Sequence, residues 1–592
     1  MTPHCYYQER VDVFQKSLDV ILKSEKKYSV LRLVSFLGTW MLFYFIFNLN
    51  VTLAFVLLGL GLVVFAFILK THFKLTRQKQ HYQILLNINL KEIKSLDGDF
   101  FGFADGTEFC DKNHPYSSDL DIFGKASLFQ AVNRTTSNPG KVKLASWLNQ
   151  PAEIAEINRR QPAVAELKEA SEWRQQLMTI GYKYADAYNN PETILDWVVK
   201  KPQFLHKKYL PWLINALSVL LFLPVVLRLP SGYFLLGVVV NLSFYYLFIN
   251  KINKIHQDVS KTIDLLKAYS EIVVIIENKT FKSEKLVYLQ AKFSANGEKA
   301  SEQIRRLSGI VNRLDFRLNI IVVAFLNIFL LWDIRQILQL EKWQQRNQTN
   351  IKAWFDAMAE FEALCSLANV GYNNPEWIFP NVLSDHFRLS AVNIGHPLIP
   401  ANRRVSNSIE IKDTGKVVLV TGSNMSGKST FLRTCGVNIV MAMAGAPVCA
   451  QKFEVSHVMV YTSMRIIDSL DENTSSFYAE LKRLAGIIQT IERKDKVFLL
   501  LDEILRGTNS NDRHIGSVAL INQLIKHRAA GIIATHDLAL SQLKDEFPSE
   551  IDNYNFDVKV ENDELFFDYR LNLGICKSLN ASILMKKMGI EI

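Results

Sequence analysis

The feature that most constrains this chain is the octapeptide Gly-Ser-Asn-Met-Ser-Gly-Lys-Ser at residues 422–429. It matches the GxxxxGK[ST] pattern of a phosphate-binding loop in full. The run Val417 to Val420 before it is typical of a buried parallel strand, and residues 431–443 lack proline and can form a helix. A strand, a glycine turn and a helix place backbone N–H groups and the positive end of a helix dipole around a phosphate. The octapeptide therefore predicts an α/β nucleotide-binding domain.

The residue types in this loop predict separate roles. Gly422 and Gly427 let the backbone curl closely, and Lys428 is expected to reach the β- and γ-phosphates of ATP. We expect Ser429 to ligate Mg²⁺ and Asn424 to sense the γ-phosphate. The complete predicted nucleotide-binding set is Gly422, Ser423, Asn424, Met425, Ser426, Gly427, Lys428, Ser429 and Thr430.

Two further apolar runs end in residues that suit ATP hydrolysis. Residues 496–501 are followed by Asp502 and Glu503, and residues 531–534 end two positions before His536. A carboxylate at a strand end beside a phosphate loop can hold Mg²⁺, and a second carboxylate can activate the attacking water. We predict an ATPase in which Asp502 is the second metal ligand, Glu503 the general base and His536 a catalytic γ-phosphate sensor.

At these residues the chain resembles the MutS family of DNA mismatch-repair ATPases. The segments that carry the resemblance are Thr421–Thr430, Asp502–Asp512, Ala534–His536 and Ser475–Leu481. In that family the serine of the last segment reaches across a dimer to the partner's γ-phosphate. The resemblance therefore implies a homodimer through the ATPase domains and a catalytic role for Ser475 in trans. Thr474 stands where the family has arginine, and Leu505 where it has glycine.

The resemblance extends upstream and covers roughly residues 119–205 and 255–592. It implies an ABC-type, MutS-like P-loop ATPase domain at 376–592 and an all-α core and lever domain at 119–375. It also implies a C-terminal helical tail, residues 574–589, that packs on the partner. Residues 1–118 show no Phe-x-Glu wedge of the kind that stacks on a mispaired base. The mismatch-reading domain is therefore expected to be missing.

Four apolar runs predict two transmembrane helical hairpins. Leu33–Phe47 and Val51–Leu69 form the first within residues 1–118, and Tyr209–Leu227 and Tyr233–Ile249 form the second, which interrupts the core. A spanning helix needs about 20 apolar residues. Lysines and arginines flank both hairpins, which predicts a multi-pass protein of the cytoplasmic membrane with its ATPase in the cytoplasm. The alternative is buried core helices of a large soluble protein. Residues 318–332 are shorter, and we predict a buried core helix there, with a span as the alternative.

Composition leaves two kinds of partner open. The chain carries 68 Lys and Arg against 58 Asp and Glu, a net charge of +10. Such a balance indicates nucleic acid or, because much of the excess flanks the hairpins, anionic membrane lipid. Residues 253–347 are predicted as long helices. Their lysines 279, 282, 285 and 292 either touch a phosphate backbone or form a solvated face. The six scattered cysteines predict reduced thiols and no zinc site.

Three functions agree with these patterns. The first is a membrane-anchored MutS-like ATPase whose dimer closes on ATP and acts on DNA, in mismatch repair or a related process. The second is an ATP-driven transporter, but the transporter signature Leu-Ser-Gly-Gly-Gln is missing between Lys428 and Asp502. The third is an ATP-gated membrane scaffold that binds protein partners without DNA. No small-molecule substrate other than ATP is indicated.

Overall fold

The computed structural model describes residues 2–184, 192–260, 263–295, 297–384, 387–465, 476–493, 496–561 and 564–576. In these ranges the α-helices are α1 (Pro3–Phe47), α2 (Val51–Leu96), α3 (Leu128–Val132), α4 (Asn138–Asn149), α5 (Ile154–Lys168), α6 (Ser171–Lys183), α7 (Glu192–Val199), α8 (Leu210–Val226), α9 (Ser231–Tyr246), α10 (Ile249–Ser260), α11 (Ile263–Glu277), α12 (Glu284–Ala291), α13 (Ala300–Leu314), α14 (Ile320–Leu330), α15 (Trp332–Asn347), α16 (Asn350–Asn373), α17 (Lys428–Ala444), α18 (Ser476–Glu492), α19 (Ser510–Lys526) and α20 (Leu543–Glu546). The strands are β1 (Ser294–Ala295), β2 (Glu298–Lys299), β3 (Asn381–Leu383), β4 (Arg388–Ile394), β5 (Asn407–Lys412), β6 (Val417–Gly422), β7 (Lys452–Ser456), β8 (Met459–Ser463), β9 (Val497–Asp502), β10 (Ala530–Thr535), β11 (Ile551–Glu561) and β12 (Glu564–Leu573).

Helices α1 and α2 pack against each other as the first hairpin. Asn50 begins α2, because its side chain accepts the backbone N–H of Leu53 at 3.0 Å. Large apolar side chains around the turn face outward, and Val63 and Phe67 are each 69% exposed. By length and composition, α1 and α2 are the two helices of the described chain that can cross a membrane. The number of candidate spans rises to four if the bent pairs α9–α10 and α14–α15 are each counted as one span.

The second hairpin consists of α8 and α9, and α14 packs beside it. Asn241 of α9 donates from Nδ2 to the carbonyl of Ile328 at 2.8 Å. The prediction of a buried core helix at 318–332 is wrong, because Ile320 is 80% exposed and Ile321 78%. The hairpin covers one face of α14 and leaves the other open. At Leu331, where φ is 49°, the chain bends by 81° into α15.

The prediction of long helices over residues 253–347 is also wrong. The described part of this segment contains six helices of 8–16 residues, α10 to α15, and the short β1–β2 hairpin. Gly297, with φ +75°, and Leu331 reverse or bend the chain at points that an apolar periodicity does not reveal. Lys285 neither faces solvent nor is available to a phosphate, because its Nζ lies 2.8 Å from carboxylate oxygens of Glu156 and Glu360.

Two sheets form the C-terminal part of the described chain. A six-stranded sheet has the order β12-β11-β6-β10-β9-β8, with neighbours parallel except for the antiparallel β11–β12 pair. A four-stranded sheet has the order β3-β7-β4-β5. The strands predicted at 417–420, 497–501 and 531–534 are confirmed as β6, β9 and β10.

Alternate residues of the central strands face two hydrophobic cores, as the two-residue period of a strand requires. Val417 and Leu419 lie in a core with α18 and α19, whereas Val418 and Val420 belong to a larger core that is continuous with the helical region. Both faces of the sheet are therefore covered, which is typical of parallel sheets. The central strands are thus packed between α18 and α19 on one face and the helical region on the other.

The C-terminal end of α2 is anchored where the helical region meets residues 397–404. Glu92 of α2 accepts a 2.5 Å hydrogen bond from Arg134 Nε. Nearby, a cavity of about 340 Å³, here named the junction cavity, is lined by Leu96, Gly98, Ile399 and Pro400 among others. Gly98 has φ +90°, and a Cβ added to it would lie 3.0 Å from Pro400 Cγ.

Candidate functional site

The predicted site residues of three segments meet at one edge of the six-stranded sheet. In the register of the parallel strands, Thr535 pairs with Thr421 and Ala534 pairs with Asp502. The carboxyl ends of β6, β9 and β10 therefore coincide, which is where open α/β sheets bind ligands. The cavity at this edge has a volume of about 410 Å³, within the usual range for small-molecule sites, about 300–1,000 Å³. Its lining includes residues 424–430, Asp502, Glu503 and His536.

The glycine-rich loop, residues 422–430, has the backbone that a close-fitting anion cradle needs. A Cβ on Gly422 would lie 2.8 Å from the carbonyl oxygen of Phe556, so only glycine fits there without displacing the backbone. Gly427 has φ +105° and caps the N-terminus of α17. Within the described chain the buried Ser426 Oγ has no hydrogen-bond partner. An unpaired buried hydroxyl beside a helix N-terminus suits a phosphate oxygen.

Lys428 brings a buried positive charge to the centre of this loop. Its Nζ donates to the carbonyl oxygens of Gly422 and Ser423, each at 2.9 Å, and lies 3.2 Å from His536 Nε2. Burial lowers the pKa of Lys428, while the carboxylates of Glu503 and Asp502 oppose this effect. A desolvated ammonium group held by neutral carbonyls is well suited to pair with phosphate.

Glu503 is the centre of a charged network. Its Oε1 lies 2.6 Å from His536 Nε2, and its Oε2 lies 2.9 Å from Arg506 Nε. The hydrogen bond with His536, followed by the charge of Arg506, lowers the pKa of Glu503 against the opposing effect of burial. Glu503 is therefore a carboxylate at neutral pH. His536 Nε2 lies between Glu503 Oε1 and Lys428 Nζ, where it either donates to the carboxylate or accepts from the ammonium group.

Asp502 and Ser429 offer the oxygen ligands that Mg²⁺ prefers. Both line the cavity, and Asp502 is buried at the end of β9 with Arg506 3.7 Å from its Oδ2. Mg²⁺ commonly takes one or two protein oxygens and completes its shell with water and phosphate oxygens. A hydroxyl and a carboxylate on this wall fit that requirement.

The opposite wall contains residues that the sequence patterns did not identify. Asn407 of β5 donates to the carbonyl of Tyr569 at 3.1 Å and accepts from the N–H of Leu571, which ties β5 to β12. The Tyr569 ring lies 3.1 Å from the point where a Cβ on Gly427 would stand. Burial lowers the pKa of His396 to about 4, so this lining residue is neutral at physiological pH. No local sequence signal marked either His396 or Tyr569 as a residue of the site.

Two predicted features lie outside the described residues. Ser475 and the neighbouring Thr474 precede the first described residue of α18, Ser476, and nearly all of the predicted tail at 574–589 follows residue 576. The contact predicted across a dimer is therefore not part of the described geometry. Within that geometry, the glycine-rich loop, Asp502, Glu503 and His536 are brought together.

Comparison with known proteins finds two family models that match different parts of the chain, and several relatives. Residues 113–368 match the model of MutS domain III, and residues 418–588 match that of MutS domain V. The mouse MutS protein homolog 4 is 31% identical over 240 residues, which is 38% of this chain and 24% of the mouse protein. The DNA mismatch repair protein MutS of Caldicellulosiruptor bescii is 27% identical over 316 residues, 51% of this chain and 34% of that protein. The same-named protein of Thermotoga petrophila is 30% identical, over 40% of this chain and 28% of its own length. The matches thus span about a quarter to a third of the relatives' length.

Proposed function

The chain belongs to the MutS family, and from this premise we propose that it is a membrane-anchored, homodimeric MutS-like ATPase that acts on DNA. The observation that carries the proposal is the convergence of the glycine-rich loop, Asp502, Glu503 and His536 around one cavity. We propose the division into an N-terminal hairpin region at 1–118, a helical core and lever at 119–375, and a P-loop ATPase domain at 376–592.

In this proposal ATP binds with its phosphates in the glycine-rich loop, where Lys428 neutralises the β- and γ-phosphates. Mg²⁺, held by Ser429 and Asp502, supplies further charge neutralisation on the phosphates. Glu503 directs water onto the γ-phosphate. His536, whose Nε2 lies between Glu503 and Lys428, senses the γ-phosphate together with Asn424. Ser475 of a second subunit completes the site, so that ATP binding closes the dimer and hydrolysis allows it to open.

Membrane anchoring is supported by the outward-facing apolar surface of both hairpins. The exposed side chains around the Asn48–Asn50 turn are almost all apolar, as are those of α8, α9 and α14. Apolar patches of this extent are rare on proteins surrounded by water and indicate contact with lipid or another protein. We propose that both hairpins and α14 lie in a bilayer, with the ATPase domain on the cytoplasmic side.

DNA binding is supported by the family and by the chain's positive charge. One observation favours the protein-binding scaffold as a second candidate. Lys285 forms ion pairs with Glu156 and Glu360 and is therefore not available to bind a DNA phosphate. Of the four lysines considered for DNA contact, three are left. The two candidates differ in whether DNA alters ATP turnover.

The proposal predicts ATP hydrolysis that DNA stimulates. We expect detergent-purified protein to hydrolyse ATP and to respond to homoduplex, mismatched or branched DNA, with stimulation lost at high salt because phosphate contacts release counterions. Lys428→Ala should weaken nucleotide binding about 10- to 150-fold, the range for hydrogen bonds to a charged group. Lys452→Ala, which removes an exposed lysine at the start of β7, is the matched control. Hydrolysis without response to any DNA would favour the scaffold, and no hydrolysis by the wild type would reject the proposal.

Anchoring predicts a defined topology. A cysteine at the exposed Leu49 of the turn should react with a membrane-impermeant maleimide in intact cells. The native exposed cysteines Cys5 and Cys110 should react only after permeabilisation, and they serve as internal controls in the same molecule. Equal labelling of all three before permeabilisation, or a protein released by alkaline extraction, contradicts the anchored arrangement.

A further inference from the structure

Helix α18 contacts the turn that follows β9 through a carboxylate. Glu480 Oε1 accepts the backbone N–H of Leu505 at 2.6 Å. The backbone N–H of Arg506 also hydrogen-bonds to the Glu480 side chain. Two consecutive amides of the turn at residues 502–507 are thus held by one side chain from another element.

A second contact from the same helix reinforces this attachment. Phe477 lies one turn before Glu480 and packs on Gly507, where an added Cβ would lie 2.6 Å from Phe477 Cβ. The packing leaves room only for glycine at 507. Helix α18 therefore holds the turn at both its middle and its end.

The turn requires such support because its backbone is strained. Glu503 has φ 50° and Leu505 has φ 60°, values that side chains with a Cβ rarely adopt. Strained conformations of this kind persist only where the surroundings enforce them. On its other side, Leu505 packs against α19, where its Cδ1 would lie 2.4 Å from a Cβ on Gly516.

The held amides determine the position of the predicted base. From the same turn, Arg506 donates from Nη2 to the carbonyl of Asp502 at 3.1 Å, and its Nε lies 2.9 Å from Glu503 Oε2. If the backbone at 505–506 moves, the guanidinium moves with it, and Glu503 loses its ion pair with Arg506. Glu480 therefore acts on Glu503 indirectly, through the backbone at 505–506 and the side chain of Arg506.

We propose that Glu480 is a positioning residue that fixes Glu503 by holding the turn at 502–507 against α18. This inference rests on the proposed function for the role of Glu503.

The test compares Glu480→Ala with Glu480→Gln, and Glu492→Ala at the exposed far end of α18 is the control. Hydrogen–deuterium exchange of the full-length protein in detergent measures the amides of residues 503–507. We expect Glu480→Ala to speed this exchange about tenfold, with exchange of β6 unchanged and with Glu480→Gln near wild type, because its amide oxygen still accepts. In parallel, kcat for ATP should fall about 10- to 100-fold in Glu480→Ala, the cost of a small misplacement. The KM for ATP should change less than about twofold, since only the base is displaced.

Several outcomes overturn the inference. These are unchanged exchange at 503–507 in Glu480→Ala, a parallel loss of ATP affinity and kcat, and a Glu480→Gln variant as impaired as Glu480→Ala. If the wild type shows no ATP turnover, the proposed function fails, and the exchange measurement still decides whether Glu480 holds the turn.

Discussion

Replacing Glu503 by glutamine is expected to leave ATP binding intact and to lower turnover about 100- to 10,000-fold, the usual contribution of a positioned general base. The amide keeps the size of the side chain but has no negative charge and cannot take a proton from water. In the wild type the hydrogen bond from His536, at 2.6 Å, lowers the pKa of Glu503 and keeps it ionised.

The measurement pairs single-turnover hydrolysis with equilibrium binding of a fluorescent ATP analogue. Glu546→Gln, an exposed glutamate on α20, provides the control and should behave as wild type. Unchanged turnover in Glu503→Gln would contradict the assignment of Glu503 as the general base. Loss of both binding and turnover would instead make Glu503 part of the binding surface.

The second large effect concerns stability. Replacing Glu92 by leucine is expected to lower the free energy of unfolding by about 3–5 kcal/mol, because it leaves the buried Arg134 guanidinium without its counter-ion. Both side chains are 2% exposed. Asn369 and Asn373 also donate to Glu92 Oε2, at 3.1 and 2.9 Å. The carboxylate thus joins α2 to α16 and to the segment after α3.

The contribution of Glu92 to the free energy of unfolding depends on pH, and its sign follows from the pKa shift. Burial alone raises the pKa of Glu92, but the charge and hydrogen bonds of Arg134, with the two asparagines, hold it below the ordinary value of 4.5. A carboxylate with a lowered folded-state pKa stabilises the fold above the unfolded-state pKa. That contribution is lost as the pH falls below about 4.5 and through the folded-state value. Glu92→Leu should flatten the acid limb of the stability curve.

Chemical denaturation in detergent measures this effect, and Glu172→Leu is the control. Glu172 pairs with Arg10 on the surface and is 64% exposed, so its loss should cost less than about 1 kcal/mol. The double variant Glu92→Leu with Arg134→Met should recover much of the loss, because it removes the uncompensated charge. A Glu92→Leu protein as stable as the Glu172→Leu control would contradict the importance of the pair.

Local sequence patterns predicted the parts of the site that are encoded locally. The run Val417–Val420 is apolar throughout because β6 is covered on both faces. The phosphate-loop pattern specifies a turn that few residues can form, as the φ of Gly427 illustrates. Asp502 ends β9 and Glu503 follows it directly, and because the carboxyl ends of parallel strands meet at one edge of a sheet, their position near the loop could be predicted from the sequence.

The contacts missed by the sequence depend on elements that are far apart in the chain. Tyr569 reaches the loop only because β12 pairs with β11 at the sheet edge and Asn407 ties it to β5. Lys285 resembles a solvent-facing lysine until α5 and α16 supply its two carboxylates. An apolar run such as 320–330 has the same composition whether a core or a bilayer covers it, so its burial could not be predicted from composition. These outcomes are decided by packing, which periodicity and motifs do not describe.

Ile399 lines both the cavity at the strand ends and the junction cavity. The cavity at the strand ends and the root of the first hairpin therefore share one boundary residue. Protein interiors are close-packed and resist compression, so a change in the volume of the side chain at position 399 is felt on both sides, at the strand ends and at Pro400 and Gly98 beside the end of α2.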